Sequence, residues 1–373
     1  MKIAILTQPL DYNYGGNLQN YALQKVLKDM GHDPITIDRH PPLSIVAKLK
    51  LGYLRRLANS IIRGDMPGNK SQFFKSYHEW AYDEINRFMA AYIKKTPRLY
   101  TDEQVHEEFK KNKFDAVVVG SDQCWRPIYS PNIYTHFLDF LQHDKNIKKI
   151  SYAASLGTDV WEFTSEQTER CKQLVKKFDY VTVREKSAVL LFKEKFNIDA
   201  KLVLDPTLLL RKDDYEELIK GNSQSYSDGI YTYILDEESW KNEIVEALKR
   251  KLNLRQYSYQ HVSKDPGKVK IPSIENWISG FKNAAFVITD SYHGTLFSII
   301  FGKPFVSLVN INRGASRFES ILNELDLNSR LVREFDDDQL DAILSTELSS
   351  EVLNKKIETL RKHSLIELEN VSK

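Results

Sequence analysis

Two successive series of short apolar runs, each run leading into a helical periodicity, constrain this chain more than any other feature. The first series lies at residues 2–7, 33–37, 116–119, 149–154, 180–184 and 201–204. The second lies at 229–235, 255–259, 285–290 and 304–309. Runs this short and this apolar suit strands covered on both faces. Helical patterns separate them at 18–30, 164–178, 237–252, 273–283, 293–301 and 315–326. The alternation predicts an α/β fold of two doubly wound, Rossmann-like parallel sheets facing each other. A chain of 373 residues is long enough for two such domains.

Residues 1–210 read as the first domain, with an aromatic and basic helical insertion at about 43–112. The charged stretch 211–228 reads as a linker, 229–348 as the second domain, and 349–373 as an amphipathic helix that crosses back to the first. Thr101 followed by Gln104 has the spacing of a capping box. Asp336-Asp337-Asp338 contains a D-x-D pattern, but it precedes a helix and reads as an N-cap.

Composition removes several function classes. A formal net charge of +2 argues neither for nor against nucleic acid. The two cysteines, Cys124 and Cys171, form neither a disulfide framework nor a zinc spacing, and Cys124 reads as packing. The nine histidines show no ligand spacing, so no metal is expected. The first run is too brief for a signal peptide, and no apolar stretch approaches the roughly 20 residues of a membrane span. A cytoplasmic location is the expectation. Residues 44–63 carry Lys48, Lys50, Arg55, Arg56 and Arg63 among apolar residues, with no acid. That segment is either a solvated helix face or a weak peripheral contact with the inner face of an anionic membrane.

Ligands of doubly wound sheets sit beyond the carboxyl ends of the strands. Three loops are singled out by that rule. Asn13-Tyr14-Gly15-Gly16-Asn17 with Gln19 follows the first strand and offers a Gly-rich helix entrance to an anion, or simply a tight turn capped by Asn17. Gly120-Ser121-Asp122-Gln123, with Trp125, leaves the 116–119 run. Asp122 there suits proton acceptance from a sugar hydroxyl, or serves only as a cap. Asp290-Ser291-Tyr292-His293-Gly294-Thr295 ends the 285–290 run at a helix start. There His293 suits holding or protonating an anionic group, or is a structural histidine. Arg184, Arg313 and Arg317 are candidates for carboxylate or phosphate capture, or for surface ion pairs.

These segments resemble the polysaccharide pyruvyl transferase family. The resemblance rests on Tyr14-Gly15-Gly16-Asn17 with Gln19, Tyr21, Ala22 and Leu23; on Gly120-Ser121-Asp122-Gln123 with Trp125; and on Phe137 to Phe140. It continues through Ser151 to Ser155, Val183-Arg184-Glu185, Leu204-Asp205-Pro206-Thr207 and Thr289 to Thr295, reaching about Glu324. It implies a two-domain fold similar to the B-type glycosyltransferases with the active site in the interdomain cleft. It implies phosphoenolpyruvate as donor, needing no further cofactor, and a sugar with two nearby hydroxyls as acceptor, carried on a lipid or a polysaccharide repeat unit. The family's histidine maps onto His293. Some relatives carry an arginine two residues before it, where this chain has Ser291, so anion binding passes to Arg317, Arg184 or Lys303. A nucleotide-sugar glycosyltransferase and a non-catalytic sugar-binding protein are the alternatives on the same fold.

Overall fold

The computed structural model describes residues 1–41, 81–130, 132–221, 228–259, 271–310 and 314–370. Among these residues the first sheet has six parallel strands: β1 (Lys2–Leu6), β2 (Asp33–Ile37), β3 (Ala116–Asp122), β4 (Lys148–Ala154), β5 (Thr182–Val183) and β6 (Lys201–Leu202). Their spatial order is β2-β1-β3-β4-β5-β6. The second sheet has five: β7 (Ile230–Tyr233), β8 (Gln256–Tyr257), β9 (Phe286–Thr289), β10 (Phe305–Leu308) and β11 (Leu331–Val332). These lie in the order β11-β10-β9-β7-β8 and are again parallel. The expected pair of doubly wound sheets is therefore present.

The strand period of two sorts the core into layers. Ile3, Ile5, Ala116, Val118, Ile150 and Tyr152 point to one face of the first sheet. Their neighbours Ala4, Leu6, Val117 and Val119 point to the other, against Trp125, Phe137 and Phe192. In the second sheet Tyr231, Tyr233, Val287 and Phe305 join the same cluster as Ile3 and Ile5. Ile230, Phe286, Ile288, Val306 and Leu308 pack on the opposite face. One continuous apolar layer thus lies between the two sheets. Tyr14 and Trp277 meet within it, stacked with ring centroids 5.7 Å apart.

Helix boundaries follow local chemistry. The capping box is present, with Thr101 accepting from the Gln104 backbone and the Gln104 side chain accepting from Thr101 N. Asp336 accepts from Gln339 N as an N-cap. The first helix, however, spans Tyr14–Asp29 and starts four residues before the expected position. Its cap is Asn13, whose Oδ1 accepts from Gly16 N, and not Asn17. Gly15 and Gly16 therefore lie in the first helical turn and not in a loop.

Of the insertion, residues 81–112 are described and contain helices Asp83–Tyr92 and Asp102–Asn112. The basic segment 44–63 lies outside the described residues. Within 211–228, Lys212–Leu218 is a helix that buries Tyr215 and Leu218. The helix Ser350–Glu369 runs beside the first domain. Its Arg361 donates to the carbonyls of Leu208 at 2.8 Å and Leu210 at 3.1 Å, and Ser364 Oγ accepts from Leu204 N at 2.9 Å. Among the described residues no helix is long and apolar enough to cross a membrane.

Candidate active site

Each sheet reverses its winding once. In the first sheet this occurs between β1 and β3, and in the second between β7 and β9. Loops leaving adjacent strands in opposite directions open a crevice there. Both crevices face one cleft of about 580 Å³ between the domains. Gln8, Asp11 and Asn13 line it after β1, and Asp122 and Gln123 after β3. Leu235 follows β7, and Asp290, Ser291 and His293 follow β9.

His293 is the second residue of helix Tyr292–Ile300, which Ser291 caps by accepting from Gly294 N. Its Nε2 faces Asp205 Oδ2 at 3.7 Å, an ion-pair separation longer than a hydrogen bond. The other edge of the ring rests on Gly15, where a Cβ would lie 2.1 Å from Nδ1. Any side chain at Gly15 would displace the imidazole, so a glycine in the first domain holds open the place of a histidine from the second.

Asp205 is buried and densely held. Its Oδ1 accepts from Thr207 N at 3.0 Å and Thr207 Oγ1 at 2.8 Å. Its Oδ2 accepts from Arg184 Nη1 at 2.6 Å and Ser121 Oγ at 3.3 Å. Burial alone would push this carboxyl up, but His293 and Arg184 outweigh it and hold the group well below the usual carboxylate range. Arg184 also approaches Asp122 Oδ1 at 3.5 Å. The guanidiniums of Arg184 and Arg317 flank the Tyr292 ring, 4.7 Å and 5.1 Å from its centroid. Burial, followed by the neighbouring Arg184, draws Arg317 down to about 10.

Asp122 sits at the mouth of β3 with φ of 106°, after Gly120 at 129°. A Cβ at Gly120 would lie 2.1 Å from the Tyr152 carbonyl. Asp122 Oδ1 accepts from Gln123 N at 2.8 Å, and Oδ2 has no partner among the described residues. A non-glycine residue held in this region is a feature of functional loops.

The structure brings Asn13, Asp122, Gln123, Asp290, Ser291, His293 and Arg317 to the cleft wall. It places other expected residues elsewhere. Trp125 is stacked between Phe137 and Phe192 in the outer core of the first domain and does not reach the cleft. Tyr14 is an interdomain packing residue that donates to the Pro272 carbonyl. Asn17 tethers the loop by donating to Asp11 O, and Gln19 donates to Thr7 Oγ1 beneath it. Gly294 packs on Thr289, and Thr295 Oγ1 bonds Ser291 O in its own helix turn and Ser307 Oγ on β10. Gly16 has room beside Asn13. Arg184 and Ser121 lie behind the cleft, on Asp205. Asp290 is tied down by Lys241 at 2.9 Å and by Leu235 N at 2.6 Å, which fixes the loop after β7. Lys303 feels Lys212 and Lys282 at the far end of the His293 helix. Arg313 lies outside the described residues. Burial raises the Cys124 thiol to about 12, as a packing residue requires.

Asp205 is the main member that site-by-site reading of the sequence passes over. It lies 88 residues from His293 and in none of the three cleft loops, although it stands in one of the segments that carry the family resemblance.

The family model described as polysaccharide pyruvyl transferase matches residues 13–312. Comparison with curated proteins gives no match. Among solved structures, UDP-GlcNAc 2-epimerase from Neisseria meningitidis, bound to UDP-GlcNAc, superposes with a TM-score of 0.58 at 10% identity, covering 99% of both chains. MnaA of S. aureus, in a co-structure with UDP, gives 0.53 at 13% identity over 95% of this chain and 90% of that one. UGT89C1 of Arabidopsis thaliana, complexed with UDP-L-rhamnose, gives 0.51 at 11% identity over 98% of each. At these identities the likeness shows the fold alone, the two-domain B-type glycosyltransferase architecture.

Proposed function

This chain belongs to the polysaccharide pyruvyl transferase family, and on that premise we propose that it moves pyruvate from phosphoenolpyruvate onto two hydroxyls of a sugar as a cyclic ketal, in the building of a surface polysaccharide. The observation that carries this reading is the meeting of His293 with the Arg184–Asp205 pair across the domain boundary, beside the buried Arg317.

In this mechanism Arg317 and the start of helix Tyr292–Ile300 attract the phosphate and carboxylate of the donor. Asp205 orients the imidazole from its Nε2 side, and the ring carries the proton to be transferred. His293 gives that proton to the methylene carbon of phosphoenolpyruvate, which becomes a methyl group, and cation character develops at the adjacent carbon. One sugar hydroxyl adds there and its proton passes to Asp122. The second hydroxyl then bonds to the same carbon as the carbon–oxygen bond to phosphate breaks. Of the two hydroxyl protons lost, one balances the new methyl hydrogen and the other leaves with inorganic phosphate.

The test is incubation with phosphoenolpyruvate and candidate lipid-linked or soluble sugars, reading phosphate release and the mass of the ketal. His293→Ala is expected to lower turnover by about 10²–10⁴ while the protein stays folded. Protection of the cleft by uridine or guanosine nucleotides, with none by phosphoenolpyruvate, would favour a nucleotide-sugar glycosyltransferase instead.

A further inference from the structure

Among the described residues, five tyrosine and phenylalanine rings line the cleft, at Tyr12, Tyr129, Tyr233, Tyr292 and Phe318. Four of them are already committed to other partners. Tyr12 is stacked on Tyr82 with centroids 3.5 Å apart. Tyr233 packs edge-on against Trp277 and Tyr14, and Tyr292 lies between two guanidiniums. Phe318 is 1% exposed in the interdomain core. Tyr129 differs, being 42% exposed on the short turn Pro127–Tyr129 at the rim of the first-domain wall.

Its position is nevertheless fixed. The Arg126 guanidinium lies over one face of the ring, 4.8 Å from the centroid. That guanidinium is itself clamped by both carboxylate oxygens of Glu162, at 2.8 Å and 2.9 Å, and by Gln123 Oε1 at 3.2 Å. Ser130 Oγ donates to the Cys124 carbonyl at 2.9 Å and pins the end of the turn. An exposed tyrosine held this firmly by a buried arginine is built as a preorganised surface. Its π face is electron-rich, and it costs little entropy to immobilise.

We propose that Tyr129 is the stacking platform for the pyranose ring of the acceptor, and that it selects sugars presenting an apolar C–H face. This deepens the pyruvyl transfer reading and rests on it. A sugar ring laid on Tyr129 turns its hydroxyl edge toward Asp122, whose Oδ2 has no partner among the described residues, and toward Gln123. The polar residues of the wall then read hydroxyl positions, while the aromatic face reads the shape of the ring.

The experiment is saturation-transfer NMR on the full chain with phosphoenolpyruvate present. Methyl glycosides of glucose, galactose, mannose and N-acetylglucosamine serve as probes. At least one is expected to receive saturation on its ring C–H protons. Tyr129→Ala should weaken its binding at least tenfold, and Tyr129→Phe should stay within threefold of wild type. Phosphoenolpyruvate binding, read by phosphorus line broadening, should be the same in all three proteins. Equal binding in Tyr129→Ala, equal losses in Tyr129→Phe and Tyr129→Ala, or no saturation of any probe would each overturn the platform. Binding of a glycoside needs no chemistry. If Tyr129-dependent binding appears without phosphate release, the pyruvyl transfer reading fails and the platform stands. If turnover occurs and Tyr129→Ala leaves the acceptor KM unchanged, the platform alone fails.

Discussion

Gly15 and Asp205 hold His293 from its two sides, and both make predictions at the level of one residue. Gly15→Ala adds a methyl group where the imidazole now lies. A displacement of about 1 Å in a reacting group costs on the order of 10² in rate. Turnover should therefore fall at least that far, and because the added carbon also meets Cγ and Cβ of the buried ring, the melting temperature should drop by the equivalent of about 1–3 kcal/mol of overpacking. The second change, Asp205→Asn, removes a carboxylate whose folded-state pKa lies below its unfolded value. Such a group contributes stability that is present above the unfolded pKa of about 3.9 and is lost as pH falls below it. The wild type should thus lose stability more steeply than Asp205→Asn between about pH 5 and pH 2 in urea titrations. At neutral pH the variant should be weaker by about 3 kcal/mol, because Arg184 loses its closest partner in a buried place. His293 was legible in the sequence because it stands at a strand end before a helix, and Asp122 because it ends a buried strand. The pairing of His293 with Asp205 was not, since their contact is made by the closure of two domains and leaves no local spacing.

Ten of the eleven described strands were readable as elements because each lies in a short, mostly apolar run bounded by polar loops, and the layers follow from their alternation; β11 was not, since Leu331 and Val332 are only two apolar residues between Arg330 and Arg333. The apolar spacing alone sets the start of the first helix late, because the two glycines there have low helix propensity. Capping by Asn13 and the fit of Gly15 under His293 settle the boundary in three dimensions, which a local pattern does not encode. The expected linker likewise hides a helix, since charged residues occupy the exposed face of Lys212–Leu218 while Tyr215 and Leu218 point inward. The last helix was visible by its amphipathic pattern, and its partners now give it a measurable role. Arg361→Met keeps most of the side chain's volume and leaves the carbonyls of Leu208 and Leu210 without their donor. Hydrogen bonds from a charged donor contribute about 1.5–3 kcal/mol each. The urea midpoint should fall by an amount equivalent to about 3–6 kcal/mol, with the slope unchanged.

Across the whole molecule, two sheets do not make two independent folding units. The apolar layer that joins Ile3, Leu18 and Tyr152 to Tyr231, Trp277 and Phe297 is shared by both halves. A shared core couples their unfolding, so calorimetry should show one transition, and two resolved transitions would contradict the coupling. The same coupling places Asp205 and His293 together only in the assembled protein. The returning helix Ser350–Glu369 has a consequence for how the chain is made. The first half emerges from the ribosome with Leu204, Leu208 and Leu210 still lacking the serine and arginine that complete them. At about 5–20 residues per second, translation must continue for roughly 10–30 s before that helix appears. Throughout that interval the nascent first half exposes an unfinished surface, and this is the period in which a chaperone, or a premature stop, decides the fate of the chain.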